Sequence, residues 1–192
     1  DHDSDVGFFV EKFNAKVFCG VMTAEHLMKF HKIPFDNIFP VFPETKFTMD
    51  DVTFEFWQAK HNESGKRTWT PEHDICKQTF GLAGHAQADM WGSMESLDCL
   101  ITTNNGFRIM MASGRAVFND IFDRCKAMRP NVLLRQSGVR HPSRSGEQVP
   151  AWELAELLVR YRAQVIFPFH FDVMVKKWGY EKVAAYMEEV RQ

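Results

Sequence analysis

The stretch LDCLITTNNGFRIMMASG, residues 97–114, decides the architecture. It holds two apolar runs, LDCLITT and FRIMMAS, on either side of Asn104-Asn105-Gly106. Asn-Gly between apolar runs is a strong local signal for a β-hairpin, because both residues tolerate a positive φ. An antiparallel pair is therefore expected over 97–113, with Ser113-Gly114 ending its second strand.

Reading outward from that pair, strands and helices alternate. Downstream, VFNDIFDRCKAM (117–128) carries Val117, Ile121, Phe122 and Cys125 on one helical face and stops before Pro130. NVLLRQ (131–136) reads as a buried strand and 137–148 as a polar loop. Pro150 fits the first position of a helix over 151–162. AQVIFPFHF (163–171) is a short apolar strand ending at His170, and an amphipathic helix over 180–191 follows.

Upstream, VTFEFWQAKH (52–61) sets Val52, Phe54 and Phe56 against Thr53 and Glu55, the period of a strand. AKVFCG (15–20) is a buried strand closed by Gly20. Thr23 is the expected N-cap of a helix over 24–31 with Leu27, Met28 and Phe30 on its apolar side, and Pro34 ends it. Val6–Phe13 forms a short helix. Residues 37–51, broken by Pro40 and Pro43, predict one short strand and a connecting turn. Between Asn62 and Ser96 runs a long polar stretch with little periodicity; loops of that length in a compact domain carry function or are insertions. The sum is an α/β layered domain with a mixed sheet.

Composition narrows the partners. The 192 residues suit a single domain, with 45% hydrophobic and 25% charged residues. A net charge of −2 favours neither nucleic acid nor an anionic membrane. No apolar run is long enough to span a bilayer. The four cysteines, Cys19, Cys76, Cys99 and Cys125, lie far apart with no CxxC pair. That argues against a structural zinc knuckle and for a reduced, cytoplasmic chain.

Chemistry concentrates at segment ends. His61 ends the alternating strand and His170 ends VIFPF, while the chain opens on DHDSDVG, with His2 and three carboxylates in its first five residues. Strand-end loops are where a rigid sheet displays reactive groups, and neutral imidazole is a common ligand of zinc-type ions. Taken singly, each histidine is as easily a rim residue. GLAGHAQADMWG has spaced glycines but no apolar helix after it, so it is no phosphate cradle. Ser137, Ser143 and Ser145 have no nucleophile-elbow context.

As a set, these segments resemble the metallo-β-lactamase superfamily, and within it the branch of the ascorbate-6-phosphate lactonases and related metal-dependent hydrolases. DHDSDVG is similar to the HxHxDH loop: His2 takes the place of the second His, Ser4 of the Asp and Asp5 of the third His. FEFWQAKH resembles the strand that delivers a ligand near His61. TTNNGFRIMMASG resembles the hairpin ending in SGD, and AQVIFPFHFD the closing strand with His170 as the last ligand. The resemblance implies an αββα layered sandwich, of which residues 1–192 look like the C-terminal two-thirds, a single domain lacking its N-terminal part.

It further implies one divalent metal ion, zinc, or in its place manganese or iron, held by His2, Asp5, His61 and His170. Two departures argue against a dinuclear centre. Arg115 stands where SGD supplies a bridging carboxylate, and a guanidinium cannot ligate a cation. Ser4 removes the family's Asp. His85, His141 and Asp172 are further donors with no motif behind them. Asp5 keeps a hard oxygen donor and is the candidate catalytic residue. Arg115 and Arg140 are candidate contacts to an anionic part of a small-molecule substrate, since Arg suits bidentate binding of phosphate or carboxylate. The implied activity is hydrolysis of a small ester, lactone or phosphate-bearing compound by a metal-bound hydroxide, in a chain that forms homo-oligomers as the family often does. The alternatives are a non-catalytic binding or assembly protein with a crippled metal site, and an oxidative enzyme with a redox metal.

Overall fold

A computed structural model describes residues 5–59, 96–113, 119–136 and 148–192. Its elements are α1 (Val6–Phe13), β1 (Val17–Cys19), α2 (Val21–Phe30), a 3-10 turn (Phe35–Asn37), β2 (Ile38–Pro40), β3 (Lys46–Met49) and β4 (Val52–Gln58). After these come β5 (Leu97–Thr102), β6 (Arg108–Ala112), α3 (Asn119–Met128), β7 (Val132–Gln136), α4 (Ala151–Arg160), β8 (Val165–Phe169), α5 (Asp172–Trp178) and α6 (Tyr180–Arg191).

Six strands form one mixed sheet in the order β3-β4-β5-β6-β7-β8. The pairs from β3 to β6 are antiparallel, and β6-β7 and β7-β8 are parallel. Each parallel step crosses over through a helix, α3 before β7 and α4 before β8. The expected mixed sheet and α/β class are thus what the chain forms.

The hairpin differs from a two-residue turn. The Gly106 amide donates to the Thr103 carbonyl at 2.9 Å, and the Thr103 amide donates to the Phe107 carbonyl at 2.9 Å. Gly106 has φ +82°, while Asn104 and Asn105 keep negative φ. This is a longer turn closed by a left-handed glycine, so only Gly106 uses positive φ.

Alternation gives the sheet two faces. One carries Trp57, Leu100, Met110, Ala112 and Leu133, packed with Cys125 of α3 and Tyr161 just past α4 into the main core. The other carries two apolar rows that run across the strands. One is Phe56, Cys99, Met111, Leu134 and Phe167; the second is Phe54, Ile101, Ile109, Val132 and Val165. At the β3-β4 end this face is covered by the two-stranded parallel sheet β1-β2. There the Phe18 ring lies 5.0 Å from Phe47 and 5.2 Å from Phe54. At the other end Met111, Val165 and Phe167 are exposed. A second cluster, Val10, Ala24, Leu27, Ile33 and Ile38, joins α1 and α2 to β2.

Four local expectations shift. α2 starts at Val21, with an extended Gly20 (φ −63°, ψ 161°) as N-cap in place of Thr23; the Gly20 carbonyl already accepts from Ala24 at 2.9 Å. Residues 37–51 contain two strands rather than one, because β3 pairs back onto β4 in a tight hairpin. Pro150 is the N-cap of α4, not its first helical residue. The seven-residue α5 had no sequence signal strong enough to separate it from the strand before it. Among the described residues no helix is long and apolar enough to cross a membrane.

Candidate functional site

The register sets one rim of the large sheet apart. The C-terminal ends of β4, β6, β7 and β8 and the N-terminal end of β5 all meet there. Ala59, Ser113, Gln136 and His170 are the residues at or just beyond these ends. They precede or include the sequence positions of His61, Arg115, Arg140 and His170. In open α/β sheets, ligands bind outside the carboxyl ends of strands.

Of the candidate residues, His2, His61, Arg115 and Arg140 lie outside the described residues. Asp5 and His170 lie inside them. Asp5 is exposed at the N-cap of α1, with no side-chain capping bond. Its carbonyl accepts from the Phe9 amide at 3.3 Å. Among the described residues no three His, Cys, Asp or Glu side chains stand together as a metal cage.

His170 is better defined. It follows β8 directly and takes a left-handed backbone, φ +59°. A non-glycine residue in that region is strained by about 1–3 kcal/mol and persists only where its surroundings impose it. The imidazole is 9% exposed, and its Nδ1 lies 2.7 Å from Oδ1 of Asp172, the first residue of α5. An ionised carboxylate only accepts, so Nδ1 carries the hydrogen of this bond. Carboxylate–histidine pairing of this kind orients metal-ligating imidazoles and raises their basicity. The donor chemistry of His170 therefore fits a metal ligand. Asp172 is the partner that fixes it, a role the sequence reading left unassigned.

Beneath the same rim lies a set of buried polar side chains that sequence reasoning missed. Asp98, Arg135 and Tyr161 are each 1% exposed. Asp98 Oδ1 accepts from the Ser113 amide at 2.9 Å, and Ser113 Oγ donates to the Leu97 carbonyl at 2.8 Å. Arg135 Nη1 donates to the carbonyls of Ala112 and Gln136, both at 3.3 Å. Its guanidinium stands 6.0 Å from the Tyr161 ring centre. Burial pushes the Tyr161 phenol up from its ordinary value, against the pull of Arg135, which also hydrogen-bonds it. The available signal was a charge at an inward position of an apolar strand, in LDCLITT and again in VLLRQ.

Cys99 offers no thiolate here. Burial pushes the Cys99 thiol up to about 12, which keeps it protonated and poor as a nucleophile or ligand.

No family model matches the sequence, and no curated protein matches it. Solved structures do. Igni18, a metallo hydrolase from the hyperthermophilic archaeon Ignicoccus hospitalis, is 12% identical with a TM-score of 0.59, over 99% of this chain and 66% of that one. The metallo-beta-lactamase fold protein YhfI from Bacillus subtilis is 11% identical with a TM-score of 0.55, over 88% of this chain and 59% of that one. An isothiocyanate hydrolase from Delia radicum gut bacteria is 13% identical with a TM-score of 0.50, over 81% and 52%. The chain spans between about half and two-thirds of the length of these structures.

Proposed function

On the metallo-β-lactamase fold that this chain has, we propose a metal-dependent hydrolase of a small ester, lactone or phosphate-bearing substrate. The observation that carries the reading is the His170–Asp172 pair: a nearly buried imidazole at a carboxyl-end rim, with Nδ1 2.7 Å from the Asp172 carboxylate. A strained backbone at the same residue supports it.

His170 is one ligand of a single divalent ion, zinc in this proposal, with His2, His61 and Asp5 as the remaining donors. When bound, such an ion lowers the pKa of water and polarises a carbonyl or phosphoryl oxygen. Asp172 holds the imidazole in the ligating tautomer. Arg115 and Arg140 bind the anionic part of the substrate and orient it at the rim, and Asp5 moves the proton of the attacking water. The chain covers only part of the length of its structural neighbours, so the activity of the whole protein is part of the proposal.

A second reading, a binding or assembly module on the same fold, is favoured by Ser4 and Arg115 standing where the family has carboxylates. Metal content separates the two. Full-length protein should hold about one equivalent of zinc, lost in His61→Ala and His170→Ala, and should cleave lactone or phosphodiester substrates only when loaded. Purified wild-type protein without stoichiometric metal ends the hydrolase reading.

A further inference from the structure

Two helices at the β8 end of the large sheet carry more apolar surface than their own packing uses. On α4, Ala151, Leu154 and Leu158 are buried, and Leu154 and Leu158 cluster with Tyr186 and Val190 of α6. A second stripe on the same helix, Trp152, Ala155 and Val159, has the i, i+3, i+7 spacing of one helical face. Its ends are open to solvent, with Trp152 63% and Val159 72% exposed. The plan repeats on α6, where Val183 is buried and Ala184, Met187 and Arg191 share the next face. Between the second stripes lies a groove of about 500 Å³, lined by Ala155 and Val159 of α4, Ile166 and Pro168 of β8, and Ala184 and Met187 of α6.

Its charges suit a second copy of this chain. Of the described lining residues only Glu188 and Arg191 are polar; both are exposed, and they pair with each other at 2.8 Å. A small-molecule site has polar groups aimed inward to orient its ligand, whereas these two stand at the rim. A membrane-surface helix is rich in lysine and arginine on its polar face, whereas α6 sets Glu181, Glu188 and Glu189 against Lys182 and Arg191. An isologous interface matches one patch to itself, so charges in it need both signs. Under a two-fold axis, Glu188 of one copy meets Arg191 of the other. β8 is the last strand of its sheet, and Pro168 gives that edge no N–H at its position. That disfavours one continuous sheet across two copies and leaves helix packing as the contact.

We infer that the groove between α4, β8 and α6 is the contact surface of a two-fold dimer of this chain, with Val159 at its centre. The test is sedimentation velocity of the full-length protein over a range of micromolar concentrations, where wild type sediments as a dimer. Val159→Glu changes an exposed position and weakens the dimer about thirtyfold or more, with the far-ultraviolet circular dichroism unchanged. Glu188→Arg leaves the rim charges both positive and Arg191→Glu leaves them both negative. Each of these variants alone sediments as a monomer, and an equimolar mixture of the two restores a dimer. A monomeric wild type overturns the inference, and so does a dimer that Val159→Glu leaves intact. A mixture of the two charge variants that stays monomeric overturns the two-fold pairing. Monomeric wild type that binds anilinonaphthalene sulfonate, with the binding lost in Val159→Glu, gives the groove to a small apolar ligand and also overturns the dimer. If Val159→Glu does not fold, the charge variants and their mixture decide.

Discussion

The two rims of the large sheet solve one problem in opposite ways. Strand ends leave backbone N–H and C=O groups that need partners. At the hairpin rim the partners are a local turn, neutral amides and the half-buried Arg108 guanidinium, which donates to the Met128 carbonyl. Thr103, Gly106 and Phe107 bond to one another, while Asn131 accepts from the Arg108 amide at 2.8 Å and donates to Gln164 at 3.0 Å. At the opposite rim the partners are a buried carboxylate, a buried guanidinium and an imidazole–carboxylate pair. Neutral groups cost little to desolvate, and buried charges cost several kcal/mol each. Among the described residues the fully buried charges, Asp98 and Arg135, stand at one rim only.

The contrast breaks most visibly through His170. His170→Ala should abolish stoichiometric zinc, while Gly106→Ala at the hairpin rim leaves it intact; elemental analysis of both proteins reads the difference. Equal metal in the two would dissolve the distinction. Asp172→Asn keeps the size of its side chain but weakens its hold on Nδ1, and zinc affinity should fall about 10–100-fold, measured by competition with a chelator. Next in size is Asp98→Ala, which leaves the Ser113 amide without its acceptor and should cost about 1–3 kcal/mol in urea unfolding.

Smaller still is Gly106→Ala. An added Cβ meets nothing within 4 Å, so only the left-handed backbone counts, at about 1–2 kcal/mol. A further test is pH. The folded state holds the Cys99 thiol protonated up to about 12, against an ordinary 9.0. Above pH 9 the unfolded chain therefore binds fewer protons, so stability falls as pH rises until the folded thiol ionises too. The Tyr161 phenol adds the same sign above its ordinary 10.0. Cys99→Ala should flatten the first part of that slope in unfolding curves between pH 8 and pH 11, if the thiol is its source.

Much of this was legible in the residues. Alternation in VTFEFWQ and in the 97–113 pair identified β4, β5 and β6, and the helices at 6–13 and 180–191 match their patterns residue for residue. β3 escaped because Pro40 and Pro43 hide a short run that gains its partner only by folding back on β4. Of the proposed site, His170 was visible as a strand-end histidine. Asp172 was not, because its contact with the imidazole depends on the left-handed turn of His170, which no local pattern specifies.

The residue pattern by itself determined which segments are strands or helices and where the hairpin turns, since period and turn chemistry act within a few positions. Only the tertiary structure decided that β6, β7 and β8 lie side by side. That order brings Asp98 and Arg135, 37 positions apart in sequence, onto a single peptide. The physical reason is range: local sterics fix the elements, whereas neighbours are chosen by the burial of whole faces, which no short window of sequence contains.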